Sequence, residues 1–240
     1  IFDKLKEYSE VDVVENATYY LNQKIDSGEL SIPKGVNYNF TGTYENQIRA
    51  TKKLSIILPL ALGLIFIILY LQFKELKIIV LIFLGIFIAW SGGFILIWFY
   101  NQPWFMNIFG LRDIFHIETT NMSVAIWVGF LALFGIASDD GVLMATYIKQ
   151  RILEIKPKTK IEIQEAVIYA ASRRAKAALM TTATTILALV PILTSTGKGA
   201  DIMIPMAIPV FGGISLVIIS IFITPVFYIW LEENKQKTER

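Results

Sequence analysis

From residue 54 onward the chain alternates long apolar runs with short polar ones. The apolar runs are Leu54–Phe73, Ile78–Phe99, Met122–Ile148, Ala177–Thr194 and Met203–Leu231. A helix rises about 1.5 Å per residue, so about 20 apolar residues cross a hydrocarbon core of about 30 Å. Every run is long enough, and the pattern predicts a mainly α membrane protein with five transmembrane helices. Lys74-Glu75-Leu76-Lys77 predicts a tight hairpin between the first two. Pro59, Pro191, Pro205, Pro209 and Pro225 lie within or near the ends of spans, where membrane helices tolerate proline if neighbours satisfy the freed carbonyls.

Residues 1–53 read differently. Val11, Val14, Ala17, Leu21 and Ile25 recur at roughly helical spacing, with Ser9 and Asp12 as cap candidates and Gly28 as a stop. Pro33-Lys34-Gly35 predicts a turn, and Val36–Phe40 alternates as a strand that Gly42 breaks. Glu45–Lys53 predicts a polar helix running into the first span. One helix and one strand cannot bury a core, so 1–53 is expected to be the end of a larger α+β domain plus a linker helix. Residues 232–240 are expected to be a tail.

Composition sharpens the class. The chain is 55% hydrophobic and 18% charged, against about 45–50% and about 25% in soluble domains. Its mean hydropathy is +0.56. A net charge of +2 gives no argument for nucleic acid as a partner, and the absence of cysteine excludes disulfides and thiolate metal sites. His116 is the one histidine, so a histidine-rich metal site is excluded too, and its place in a loop suits an interface residue better than a ligand.

Loop charge orients the bundle. Residues 74–77, 149–176 and the stretch after Leu231 carry thirteen Lys/Arg, whereas 101–121 and 195–202 carry only Arg112 and Lys198. The positive-inside rule assigns the first set to the cytoplasm. The N-terminal segment is then outside and the C-terminus inside. An external N-terminal segment without a signal peptide needs a preceding membrane span, and the chain opens with Ile rather than Met. The expectation is a chain that continues N-terminally, or a truncated or split gene product.

Asp139 and Asp140, in Gly135–Met144, are the sharpest chemical signal. A carboxylate inside a membrane helix costs about 2.5–3.5 kcal/mol on insertion scales, and adjacent carboxylates repel one another. Two readings stand. The pair is a proton or cation relay facing a bundle interior, or it snorkels from a helix end to cytoplasmic water. Adjacent helical residues lie about 100° apart, so one carboxylate is expected on the relay axis. Thr181, Thr184 and Thr185, at i, i+3 and i+4, form a polar stripe that serves either close helix packing or a wet seam opposite Asp139. Arg174 and Lys176 read as cytoplasmic anchors or as counter-ions. Gly92-Gly93 and Gly212-Gly213 read as packing sites. Met122, Met144, Met180, Met203 and Met206 are either filler or ligands for soft cations such as Cu(I) or Ag(I).

These motifs resemble the heavy-metal branch of the resistance-nodulation-division (RND) exporters. The stretch 41–73 is similar to the segment in which the last periplasmic porter subdomain enters the eighth membrane helix. The stretch 123–148 resembles the tenth helix, and 173–213 the eleventh and twelfth. The similarity runs from about Val11 to Leu231.

The resemblance implies the C-terminal part of a twelve-helix bundle, preceded by the end of a periplasmic porter domain. It implies a bacterial inner-membrane protein working as a homotrimer with a periplasmic adaptor and an outer-membrane channel. It implies a secondary active transporter rather than an enzyme. No cofactor is expected; a metal cation and protons are what is moved. Asp139 falls where copper/silver pumps carry an acid and drug pumps a lysine, and Asp140 is an addition to that pattern. Arg174 and Thr181 match the arginine and threonine of the family's R-x-R-P-x-x-M-T, while Ala177 replaces its proline. Ala178 stands where copper/silver pumps have a lysine, leaving Lys176 or Arg174 as the relay's cation. Met203 matches a methionine of the copper/silver type. The implied relay is therefore Asp139, Asp140, Arg174, Lys176 and Thr181. Rival readings are a drug or lipid exporter of the same superfamily, and a non-transporting remnant or scaffold. The chain alone is not expected to transport.

Overall fold

A computed structural model describes residues 10–31, 33, 35–40, 43–107, 109–115, 117, 122–157 and 159–238. Ser9, Lys34, Gly42 and His116, named above, lie outside the described residues.

The helix expected near the N-terminus is α1, Glu10–Asp26. Gly28 stops it with a φ of 76°, a conformation cheap only without a Cβ. The segment 36–40 is extended but belongs to no ladder, and no strand occurs among the described residues. The expected strand is therefore corrected. Alternation marks which faces a strand would bury, but a strand also needs a neighbour to take its backbone hydrogen bonds. Here the segment is tied back by the Tyr38 hydroxyl, which donates to Asn22 Oδ1 at 2.5 Å.

The polar helix at 45–53 and the first span are one element, α2, Thr43–Phe73. The hairpin turns through Lys74, at a φ of 55°, into α3, Leu76–Tyr100. A short α4, Leu111–Ile114, follows in the 101–121 connection. The remaining spans lie in α5, Val124–Ile155, α6, Lys160–Leu193, and α7, Ala200–Thr238. Each expected apolar run falls within one continuous helix, apart from a residue or two at its ends. All five are long and apolar enough to cross a membrane.

Two connections differ from expectation. The loop expected at 149–176 is mostly helix: α5 runs on to Ile155, and α6 begins at Lys160 with Thr159 as its N-cap. Charge hides the apolar face of this stretch, but Ile163, Ala166, Val167 and Ala170 are buried at helical spacing. The tail expected at 232–240 is likewise helical as far as Thr238.

Helix α7 packs against α3, α5 and α6, and its central place follows from its small residues. A Cβ on Gly92 would sit 2.6 Å from the Gly212 carbonyl oxygen, and one on Gly212 would sit 2.5 Å from the Gly92 oxygen. The backbones of α3 and α7 therefore touch at this crossing, as small residues allow in membrane bundles. Gly93 makes room for the Phe130 ring, and Gly129 for the Met206 carbonyl and the Pro209 ring. One apolar cluster gathers Ala89, Phe130, Leu133, Phe134, Ile208 and Ile214; a second gathers Ile79, Ile82, Met144, Ile148, Ile163 and Val167. Helix α2 stays peripheral, with Ile56, Leu60, Ile68 and Leu71 exposed.

Candidate functional site

Helical spacing brings one face of α5 against one face of α6. Ile136, Asp139, Asp140 and Leu143 recur at i, i+3, i+4 and i+7 on α5. Arg174, Thr181, Thr182 and Thr185 recur at i, i+7, i+8 and i+11 on α6. Together with Ile214 and Val217 of α7 they line a cavity of about 320 Å³. Buried Ala137 and Ala145 on α5, with Ala171 and Ala178 on α6, keep these helices thin beside it. Gly141, next to Asp140, does the same towards α3: a Cβ there would stand 3.1 Å from Ile82 Cγ2.

Arg174 crosses the α5–α6 interface. Its Nη2 donates to Asp140 Oδ1 at 3.2 Å, and each side chain is only 12% exposed. A charge-assisted bond of this kind is strong because it is shielded from water. Asp139 lines the same cavity but is exposed and forms no ion pair among the described residues. Two carboxylates and one guanidinium thus line one cavity.

The threonines do different work. Thr181 Oγ1 donates to the carbonyls of Ala178 at 2.9 Å and Ala177 at 3.2 Å, and Thr185 Oγ1 to Thr181 O at 2.8 Å. Their donors are spent on their own helix, leaving hydroxyl lone pairs as acceptors at the cavity wall. Thr182 Oγ1 and Arg174 Nε are buried with no hydrogen-bond partner among the described residues. Such orphans are uncommon and costly, by about 1–3 kcal/mol each.

Of the residues read from sequence, the structure brings Asp139, Asp140, Arg174 and Thr181 together. Lys176 does not join them: it is exposed and lines an outer groove with Glu165, Tyr169 and Arg173. Thr184 is exposed, and its hydroxyl bonds back to Met180 O and Thr181 O. Sequence reasoning missed Thr182, although its place eight residues after Arg174 puts both on one helical face. Met203 is exposed in the first turn of α7, while Met144 is core. Among the described residues, no group of three His, Cys, Asp or Glu side chains stands close enough to hold a metal ion.

Five helices long and apolar enough to cross a membrane, with an acid–guanidinium pair held between two of them, are the build of a multi-pass membrane protein. The chain belongs to the AcrB/AcrD/AcrF family of RND efflux transporters, whose family model matches residues 16–232. It is 34% identical over 220 residues to the putative cation efflux system protein SilA of Salmonella typhimurium, covering 88% of this chain and 19% of SilA. It is 32% identical over 222 residues to the cation efflux system protein CusA of Escherichia coli K12, covering 89% and 20%. It is 31% identical over 201 residues to the cobalt-zinc-cadmium resistance protein CzcA of Cupriavidus metallidurans, covering 83% and 17%. A crystal structure of a heavy metal efflux pump superposes with a TM-score of 0.64 at 26% identity, over 92% of this chain and 19% of that one. The chain thus spans about one fifth of the length of the relatives it matches, and its architecture is that of the C-terminal helical part of an RND transporter.

Proposed function

We propose that this chain is the C-terminal part of an inner-membrane pump that exports heavy-metal cations in exchange for protons. The observation that carries the reading is the convergence of Asp139, Asp140 and Arg174 on one cavity between helices that cross the membrane. Asp140 and Arg174 neutralise each other and form the fixed element. Asp139, in the same cavity and with no ion pair among the described residues, takes up and releases the proton. Each proton changes the cavity's net charge by one unit, which alters the favoured packing of α5 against α6 and is passed to the rest of the molecule. Thr181 supplies acceptors along the path.

The names of SilA, CusA and CzcA support a metal cation as cargo. The acid at Asp139 and the methionine at Met203 favour Cu(I) or Ag(I). The CzcA match keeps cobalt, zinc and cadmium as the second reading. The excess of Lys/Arg at 74–77, 149–176 and the C-terminus supports a cytoplasmic C-terminus and a periplasmic N-terminal segment. In this reading residues 1–53 end a porter domain. The whole pump is a homotrimer joined to a periplasmic adaptor and an outer-membrane channel.

The test is metal tolerance in a pump-deleted Gram-negative host. It expresses the full-length gene as wild type, Asp139→Asn and Asp140→Asn, at equal membrane levels, on graded copper, silver, zinc and cobalt. Protection by wild type and its loss in Asp139→Asn supports the reading and names the cargo. Loss in Asp140→Asn alone moves the proton to Asp140. Full protection by both variants removes proton exchange at this site.

A further inference from the structure

Arg173 and Arg174 are neighbours with opposite fates. Arg174 turns inward to Asp140, whereas Arg173 turns outward, as the step of about 100° per helical residue requires. On that outward side Tyr169, Ser172, Arg173 and Lys176 recur at i, i+3, i+4 and i+7. All four are exposed, and with Glu165 and Ile168 they line a groove of about 540 Å³.

The groove has a built end. Two guanidinium groups lie over the Tyr169 ring, Arg151 at 4.6 Å and Arg173 at 5.3 Å from its centroid. Stacking holds the Arg173 side chain against α6 without using its hydrogen-bond donors. Neither Arg173 nor Lys176 forms an ion pair among the described residues. Residues three apart on a helix stand about 5–6 Å apart at Cβ, so both cations can reach one phosphate.

The level in the membrane decides what that phosphate belongs to. The apolar run of α6 begins at Ala177, directly after Lys176. Its 177–194 stretch is about 27 Å long, close to the hydrocarbon thickness, which sets Arg173 and Lys176 at the headgroup layer. Glu165, at the outer end of the groove, lies about 12 Å before Arg173 and about 16 Å before Lys176 along the helix, and forms no ion pair with either among the described residues. Continuing down the same face, Met180 and Leu187 are 66% and 68% exposed. A cationic pair above an open apolar stripe is complementary to a lipid with a negative headgroup.

We propose that the outward face of α6 at Tyr169, Ser172, Arg173 and Lys176 binds an anionic phospholipid, its phosphate on Arg173 and Lys176 and its acyl chains along Met180 and Leu187. Arg174 is the next residue along, so lipid binding here would steady the helix that carries the inner ion pair. The proposal needs only that α6 crosses the membrane; it does not depend on proton exchange at Asp139.

The test uses the full-length protein purified in detergent, mixed with dioleoylphosphatidylglycerol or dioleoylphosphatidylcholine, with bound lipid counted by native mass spectrometry. Wild type is expected to retain phosphatidylglycerol over phosphatidylcholine. Arg173→Gln/Lys176→Gln is expected to lower phosphatidylglycerol retention on the order of tenfold and to leave phosphatidylcholine unchanged. Lys176→Gln alone, at an exposed position that carries no fold risk, should lower it by a smaller step, and Lys176→Arg should preserve it. Equal retention of the two lipids by wild type would mean mere apolar cover and would overturn the proposal. So would undiminished phosphatidylglycerol retention in the glutamine variants, or no retention by wild type because another part of the full-length protein covers the face.

Discussion

Arg174 of α6 and Asp140 of α5 meet at 3.2 Å although 34 residues separate them in the chain. The contact closes the helical hairpin that α5 and α6 form. Lys176, two residues away, lines a different groove and makes no such contact among the described residues.

Breaking this pair is expected to cost more than its net contribution. Removing one partner leaves the other charge in a poorly hydrated place, an effect of about 3 kcal/mol for a buried pair. Asp140→Asn and Arg174→Gln should each lower the thermal unfolding midpoint of the detergent-purified full-length protein. The double variant should be more stable than the sum of the single losses implies. A coupling of at least about 1 kcal/mol in this double-mutant cycle is the expected result; strict additivity would mean that the two side chains do not interact.

The α3–α7 crossing gives a sharper steric test. A methyl group on Gly92 would collide with the Gly212 backbone oxygen at 2.6 Å, and backbone cannot swing aside as a side chain does. Gly92→Ala is expected to destabilise by about 1–3 kcal/mol through overpacking. Gly135, in the middle of α5, has nothing within 4 Å of a new Cβ, so Gly135→Ala should be neutral or slightly stabilising. Unfolding midpoints of the two variants, measured side by side, check the contrast.

Much of this was legible in the sequence, and the gaps have physical causes. The five spans are readable because about 20 apolar residues in a row have few other uses. Asp139 and Asp140 are readable because a carboxylate there is expensive. The partnership of Arg174 with Asp140 was only one of two options, because a basic residue at a span's end is an anchor by default. Choosing between them needs the rotation of α6 against α5, which tertiary packing sets. The helix at 149–176 is not legible in this way, because a hydropathy pattern marks membrane spans and passes over charged helices outside the apolar layer. Thr182 belongs to the cavity face only when the stripe is counted from Arg174; counted from Thr181, it falls on Thr184 instead.

The start of α6 offers a local test. Thr159 has extended backbone, and its Oγ1 accepts the Glu162 N–H at 3.3 Å, with Glu162 itself in the first turn. This is an N-cap, which contributes about 1 kcal/mol. Thr159→Ala is expected to speed amide exchange at 160–163 several-fold, and Thr159→Asp to restore protection. Unchanged exchange in Thr159→Ala would show that packing of Ile163 alone holds the turn.

The end of α2 depends on a residue far along the chain. Lys149 of α5 donates from Nζ to the Phe73 carbonyl at 2.8 Å, and the same ammonium lies 5.7 Å from the centre of the Phe73 ring. It also stands 3.9 Å from Glu75. A cation at a helix C-terminus satisfies a carbonyl that has no intrahelical donor and complements the helix dipole, for about 0.3–1 kcal/mol. The energy is small, but α2 packs against few neighbours, so a small loss should be visible locally. Lys149→Met keeps most of the apolar stem and removes the charge. It is expected to raise amide exchange in the last turn of α2 and at the Lys74 hairpin while leaving α7 unchanged. If exchange rises equally in α7, the effect is global destabilisation rather than loss of this cap. If exchange does not rise in α2, burial of Leu69 and Phe73 is enough to hold the helix end, and the Lys149 contact is dispensable.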